Sequence, residues 1–202
     1  MRLNRKEAMG REQEALRTEI IEAAKQRFMS FGYGKTTMGE IGGDCGISPA
    51  HLYNFFAGKL DLAVAIAEQA GLEQRQALSG ILDPEKPADE ILPRYFRAEL
   101  DLHAGRVTGN QGLPGLLELV KRKRPMIYAG LHRRLLKDLS LYLNARIGAG
   151  DVKEGDPFHL AESLHLATYA FRQPSFPVDR SLEDLRLSLT ELVKLLLSGL
   201  KK

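Results

Sequence analysis

The chain has 202 residues, 44% hydrophobic and 27% charged, a balance typical of globular proteins, and it is long enough to bury a sizeable core. No window approaches the ~20 apolar residues that span a bilayer, and the lone cysteine, Cys45, excludes a disulfide framework and any Cys-rich metal site. A cytoplasmic protein without membrane association is expected, and a net charge of +3 permits an anionic partner without requiring one.

Trp is absent, aromatic residues are only 7%, and no β-branched run alternates with period two, which predicts an all-α chain. From about Glu12 to Phe31, Leu16, Ile20, Ala24, Phe28 and Phe31 recur every three or four residues, one stripe of an amphipathic helix that Gly32 and Gly34 close. Thr37 and Glu40 have the spacing of a capping box, which opens a short helix reaching about Cys45, where Gly42, Gly43 and Gly46 weaken it. Ser48 followed by Pro49 is an N-cap with proline in the first helical position. The third helix carries Leu52, Phe55 and Phe56 and stops near Gly58; Lys59 then opens a longer helix with Leu62, Ile66 and Ala70 in register. Two short helices joined by a Gly-bearing turn and braced by longer ones read as a helix-turn-helix. Before them, Arg2, Arg5, Lys6 and Arg11 form a cationic arm, interleaved with Glu7 and Glu12, of the kind that follows DNA backbone or enters the minor groove.

The chain divides into a helix-turn-helix domain over 1–60, arm included, and a helical domain over 61–202, with the Pro-rich stretch 79–88 the clearest internal break. Helices are predicted over Ile91–Leu102, Leu113–Val120, Met126–Ile147, Leu160–Phe171 and Leu182–Leu200, with breaks near Gly105, Pro125, Gly148–Pro157 and Pro174–Pro177. The last two carry more apolar surface than one core requires. Ser163, Leu166 and Ala170 on one and Leu189, Leu192 and Leu196 on the other are expected at a homodimer interface of four helices, two from each copy.

Motifs of catalysis are missing. Gly34-Lys35-Thr36 resembles the tail of a phosphate loop, but Met29 stands where its first glycine belongs and a helix precedes it. Glu162 and His165 have di-iron spacing without a second copy, and no Gly-x-Ser-x-Gly or His-Glu-x-x-His occurs. No catalytic residue, metal site or cofactor is expected. The run Lys121-Arg122-Lys123-Arg124 reads as a solvated helix end before Pro125, since no base-reading element adjoins it in sequence.

The stretch Ile20–Leu62, with its Ala-Ala-x-x-x-Phe element at 23–28, Gly-Tyr-x-x-Thr-Thr at 32–37, Gly-Ile-Ser at 46–48, Leu-Tyr-x-x-Phe at 52–56 and the lysine at 59, resembles the N-terminal DNA-binding domain of TetR-type bacterial transcription regulators. The resemblance implies an N-terminal helix-turn-helix followed by a helical bundle for ligand binding and dimerisation. It also implies a dimeric, ligand-responsive regulator, most simply a repressor that binds a palindromic double-stranded DNA operator and is released by a small-molecule effector. Ser48, Pro49, Ala50, His51 and Asn54 would then face bases or backbone, while Tyr53, Lys59, Lys35, Thr36 and Thr37 would hold phosphates. Effector residues are sought at central helix positions of the second domain: Tyr95, His103, Met126, Tyr128, His132, Tyr142, His165 and Tyr169. The competing reading is a helical-bundle carrier or enzyme with a degenerate helix-turn-helix.

Overall fold

In the computed structural model, which describes residues 5–109, 112–172 and 180–200, the chain is helical throughout and the described residues contain no strand. In chain order the helices are α1 (Arg5–Phe31), α2 (Met38–Asp44), α3 (Pro49–Tyr53), α4 (Lys59–Ser79), α5 (Ala88–Gly109), α6 (Gly112–Lys123), α7 (Pro125–Gly148), α8 (Pro157–Ala167) and α9 (Leu182–Leu200), with a 3-10 turn at Tyr169–Arg172. The all-α expectation holds, with an N-terminal three-helix helix-turn-helix domain ahead of a helical bundle. Arg2 and the break expected at 174–177 lie outside the described residues.

The helices form two compact units. The first comprises 1–70 and 110–127, the second 71–109 and 128–202. In the first, Ile20, Ala24 and Phe28 of α1 meet Met38 and Ile41 of α2, Leu52 of α3 and Leu62 and Ile66 of α4; Leu113, Leu116 and Val120 of α6 complete this core. In the second, Ile91, Leu92, Phe96 and Leu100 of α5 pack with Leu139 and Leu143 of α7, Ala161 and Leu164 of α8, and Leu189, Val193 and Leu197 of α9.

Three expectations change. First, α1 begins at Arg5, so Arg5, Lys6 and Arg11 lie within a helix that starts about three turns before the apolar stripe does at Leu16. The arm segment is rich in good helix formers, and the stripe could locate only the part that packs. Second, the helix predicted to Phe171 ends at Ala167, where Thr168 caps it and a 3-10 turn takes over. Third, Leu189 is 2% exposed, buried in its own unit, which removes it from a dimer face; the outward leucines of α9 are Leu187 and Leu195, at 58% and 69%.

Candidate functional site

The turn geometry of the first unit follows from its caps. Thr37 Oγ1 accepts from the Glu40 amide at 3.2 Å, and the Thr37 amide donates to Glu40 Oε2 at 2.7 Å, so the capping box read from sequence is formed. The Thr37 hydroxyl also donates to Glu40 Oε2 at 2.8 Å, and this bond first and the amide's second hold the Glu40 carboxyl below its ordinary pKa. Arg27 of α1 forks onto the Asp44 carboxylate at the end of α2, Nη2 donating to Oδ1 at 2.8 Å, and fixes α2 against α1. Gly46, at φ 64°, makes the turn between α2 and α3 in a backbone region that side-chain-bearing residues rarely adopt. A Cβ on Gly42 would sit 3.0 Å from the Ile47 carbonyl oxygen, so its hydrogen lets the chain entering α3 lie against α2. Ser48 then caps α3, its hydroxyl accepting from the His51 amide at 3.2 Å.

This arrangement sorts the proposed DNA-contacting residues into two groups. Lys35, Thr37, Ser48, Pro49, Ala50, His51, Tyr53 and Asn54 are exposed, while Leu52 and Phe56 of the same segment are buried. The His51 ring lies near Phe55, centroids 5.6 Å apart, and His51 and Asn54 line a groove of about 610 Å³ whose other wall is α1 at Glu12, Gln13 and Arg17. Thr36 and Lys59 do not share that face. Thr36 is buried and donates its hydroxyl to the Gly32 carbonyl at 3.1 Å. The Lys59 ammonium donates to the carbonyls of Thr36 and Tyr33 at 2.6 and 2.9 Å and lies 4.8 Å from the Tyr33 ring centre. Its charge is spent on the α1–α2 turn, whose orphan carbonyls it satisfies.

The second unit contains a buried polar cluster that spacing did not disclose. Glu99 of α5, His165 of α8 and Arg172 of the 3-10 turn are 1%, 4% and 8% exposed. Arg172 Nη1 donates to Glu99 Oε2 at 3.0 Å and to the Thr168 hydroxyl at 2.9 Å, while Nη2 reaches the His165 carbonyl and lies 3.0 Å from His165 Nδ1. His165 Nε2 stands 2.9 Å from Glu99 Oε1 but off the line of a well-formed hydrogen bond. Burial pushes the Glu99 carboxyl up, but His165, Arg172 and His103 together bring it below the ordinary value. His132 Nε2 lies 3.3 Å from His165 Nδ1 and is the most exposed member. Burial lowers the His132 and His103 pKa values, helped by His165 at the first and Arg106 at the second. Tyr95 is fully buried and its hydroxyl has no hydrogen-bond partner among the described residues.

Of the eight expected effector residues, Tyr95, His103, His132 and His165 therefore converge. Tyr142 instead donates to the Lys86 carbonyl at 3.0 Å as a packing residue, Met126 is 83% exposed, Tyr169 is 47% exposed beside Arg172, and Tyr128 is half-buried. Glu99 and Arg172 were missed. The signal for Glu99 was present: Tyr95, Glu99 and His103 are one helical turn apart along the apolar stripe of α5, where a charge needs a partner. Arg172 follows a helix end and carries no such mark. Among the described residues, no group of three or more His, Cys, Asp or Glu could hold a metal ion, and no helix is long and apolar enough to cross a membrane.

A short capped helix presented on a three-helix core, with its polar face outward, defines a helix-turn-helix protein. Residues 20–66 match the family model described as bacterial regulatory proteins, tetR family. That segment is similar to the tetR family, and the chain as a whole has the fold seen in TetR-family transcriptional regulators. A TetR-family regulator of Mesorhizobium loti superposes with a TM-score of 0.77 at 19% identity, covering 94% of this chain and 98% of that one. SmeT, the repressor of the Stenotrophomonas maltophilia multidrug efflux pump SmeDEF, gives 0.64 at 23%, covering 92% and 90%. Salmonella enterica GusR gives 0.67 at 23%, covering 92% and 94%. No curated protein matches the chain.

Proposed function

We propose that the protein is a non-catalytic, dimeric transcriptional repressor that binds a near-palindromic DNA operator through residues 1–60 and is released by a small-molecule effector bound within 61–202. The observation that supports this most directly is the exposed run Ser48–Asn54, which turns its polar side chains outward while Leu52 anchors it from behind. In a dimer, two such helices would enter successive major grooves about 34–36 Å apart. His51 and Asn54 would read base edges, Pro49 and Ala50 would meet thymine methyl groups, and Lys35, Thr37, Ser48 and Tyr53 would position the backbone. Thr36 and Lys59 serve this face indirectly, by holding the turn that presents Lys35 and Thr37.

For dimerisation, Ser163 and Leu166 are exposed, Leu166 at 67%, and Ala170, Leu192 and Leu196 are half-buried; Leu187 and Leu195 extend this apolar face. For the effector, the Tyr95–Glu99–His103–His132–His165–Arg172 cluster concentrates polar groups with unmet hydrogen-bonding capacity. A ligand acts by binding one of two conformations better, and rearrangement of this cluster is the differential contact required.

Selection of bound fragments from genomic DNA with the purified protein tests the reading. One dyad-symmetric site is expected; His51→Ala should change its base preference and Tyr53→Phe should weaken all sequences alike. Absence of duplex binding at low salt, or a monomer at micromolar concentration by light scattering, would overturn it.

A further inference from the structure

The helix-turn-helix face has an electrostatic deficit. Ser48–Asn54 contains no Lys or Arg, and the one cation at the start of α4, Lys59, is engaged by backbone carbonyls. Affinity for duplex DNA comes largely from cations that displace condensed counterions from phosphates, so an interface of this kind needs positive charge from another element. α6 belongs to the same compact unit and ends in Lys121-Arg122-Lys123, with Arg124 directly after it. It is fixed in place by its apolar side, Leu113, Leu116 and Val120 joining the core of α1, while a Cβ on Gly112 would stand 3.0 Å from Met29 Cα. Tyr33 of the α1–α2 turn packs against this same core, and α6 starts against the last turn of α1, at Met29, four residues before Tyr33. The Arg124 charge is felt at the Tyr33 phenol, whose pKa burial and Asp61 raise and Arg124 opposes. Arg122, Lys123 and Arg124 are exposed, and no carboxylate pairs with them among the described residues; the nearby Glu118 is engaged by Lys121 at 3.4 Å.

We propose that Arg122, Lys123 and Arg124 form a second contact surface for duplex DNA, continuous with Lys35 and the α1–α2 turn, that binds phosphates without reading bases. The inference rests on the DNA-binding reading above. It also revises the sequence-based view of the run as a solvated helix end: tertiary packing supplies the adjoining DNA-facing turn that the linear sequence does not.

The test is the salt dependence of operator binding by the full-length chain. Arg122→Gln/Lys123→Gln/Arg124→Gln should lower the slope of log K against log salt by about two to three per protomer, at ~0.9 per phosphate contact. The ratio of operator to non-operator affinity should stay unchanged. The control is Arg133→Gln/Arg134→Gln/Lys137→Gln on α7, which removes the same charge from exposed positions of the other unit. A wild-type slope in the α6 variant, or an equal fall in the α7 variant, overturns the proposal while leaving the helix-turn-helix reading intact. A wild-type protein that binds no duplex overturns both. An unchanged thermal midpoint in each triple variant shows that the slopes compare folded proteins.

Discussion

The two units handle charge in opposite ways. In the first, ionic groups stay at the surface or serve the turns: Arg27 clamps Asp44 and Lys59 caps carbonyls, leaving a neutral polar face at Ser48–Asn54 that points outward. In the second, Glu99, Arg172 and His165 are withdrawn from water into the core. An outward face of exposed hydroxyl, imidazole and amide groups suits a large, rigid, polar partner. A withdrawn cluster can be reached only by protons or by a molecule small enough to enter the bundle. The contrast teaches that one fold sorts its charges by dielectric environment: an exposed charge is solvated and needs no fixed partner, whereas inside the protein each charge requires one.

The largest effect should come from breaking the internal pair. Arg172→Met leaves Glu99 buried without its guanidinium and should cost about 3–5 kcal/mol in urea unfolding, whereas Glu99→Leu/Arg172→Met together should be close to neutral. A single-variant loss under about 1 kcal/mol would remove the contrast between the units. Next, Lys59→Met strips a charged donor from three carbonyls and should lower stability by about 1–3 kcal/mol without altering the salt slope of DNA binding. A slope falling by about one would return Lys59 to the phosphate contacts. Ser48→Ala removes the α3 cap and should cost about 1 kcal/mol in thermal unfolding.

The smallest effect is read against pH. His103 and His132 have folded pKa values below the ordinary 6.5, so the unfolded chain takes up protons first as pH falls through about 6.5, and stability drops from there downward. Glu99 adds a second loss at lower pH: its folded pKa is depressed, so its contribution is complete above the ordinary carboxylate value near 4.5 and disappears as pH falls through the folded one. His103→Gln/His132→Gln should flatten the upper step of the stability curve and leave the lower one. An unaltered upper step would show that His103 and His132 take up no extra protons on unfolding.

Much of the first unit was legible in order along the chain, because its determinants are local. Thr37 and Glu40 are three residues apart, Ser48 and Pro49 adjoin, and Leu52 and Phe56 are one turn apart, so spacing alone places two caps and an anchored helix. That locality does not extend to Lys59, which the family resemblance assigned to phosphate and whose hydrogen-bond acceptors lie 23 to 26 residues upstream. In the second unit the helices were legible and their pairing was not. Glu99 meets Arg172 across 73 residues, and Leu189 proved internal because the register of α9 is decided by what α5 offers it.

What the amino-acid sequence determines by itself is therefore the helical class, the caps and the helix-turn-helix, since these depend on interactions within one or two turns of chain. Tertiary structure alone decided which polar groups stay in water and which are paired inside. That choice depends on surfaces from distant segments closing over a charge, and the free energy of a buried ion belongs to the closed pair, with no local signature in either residue.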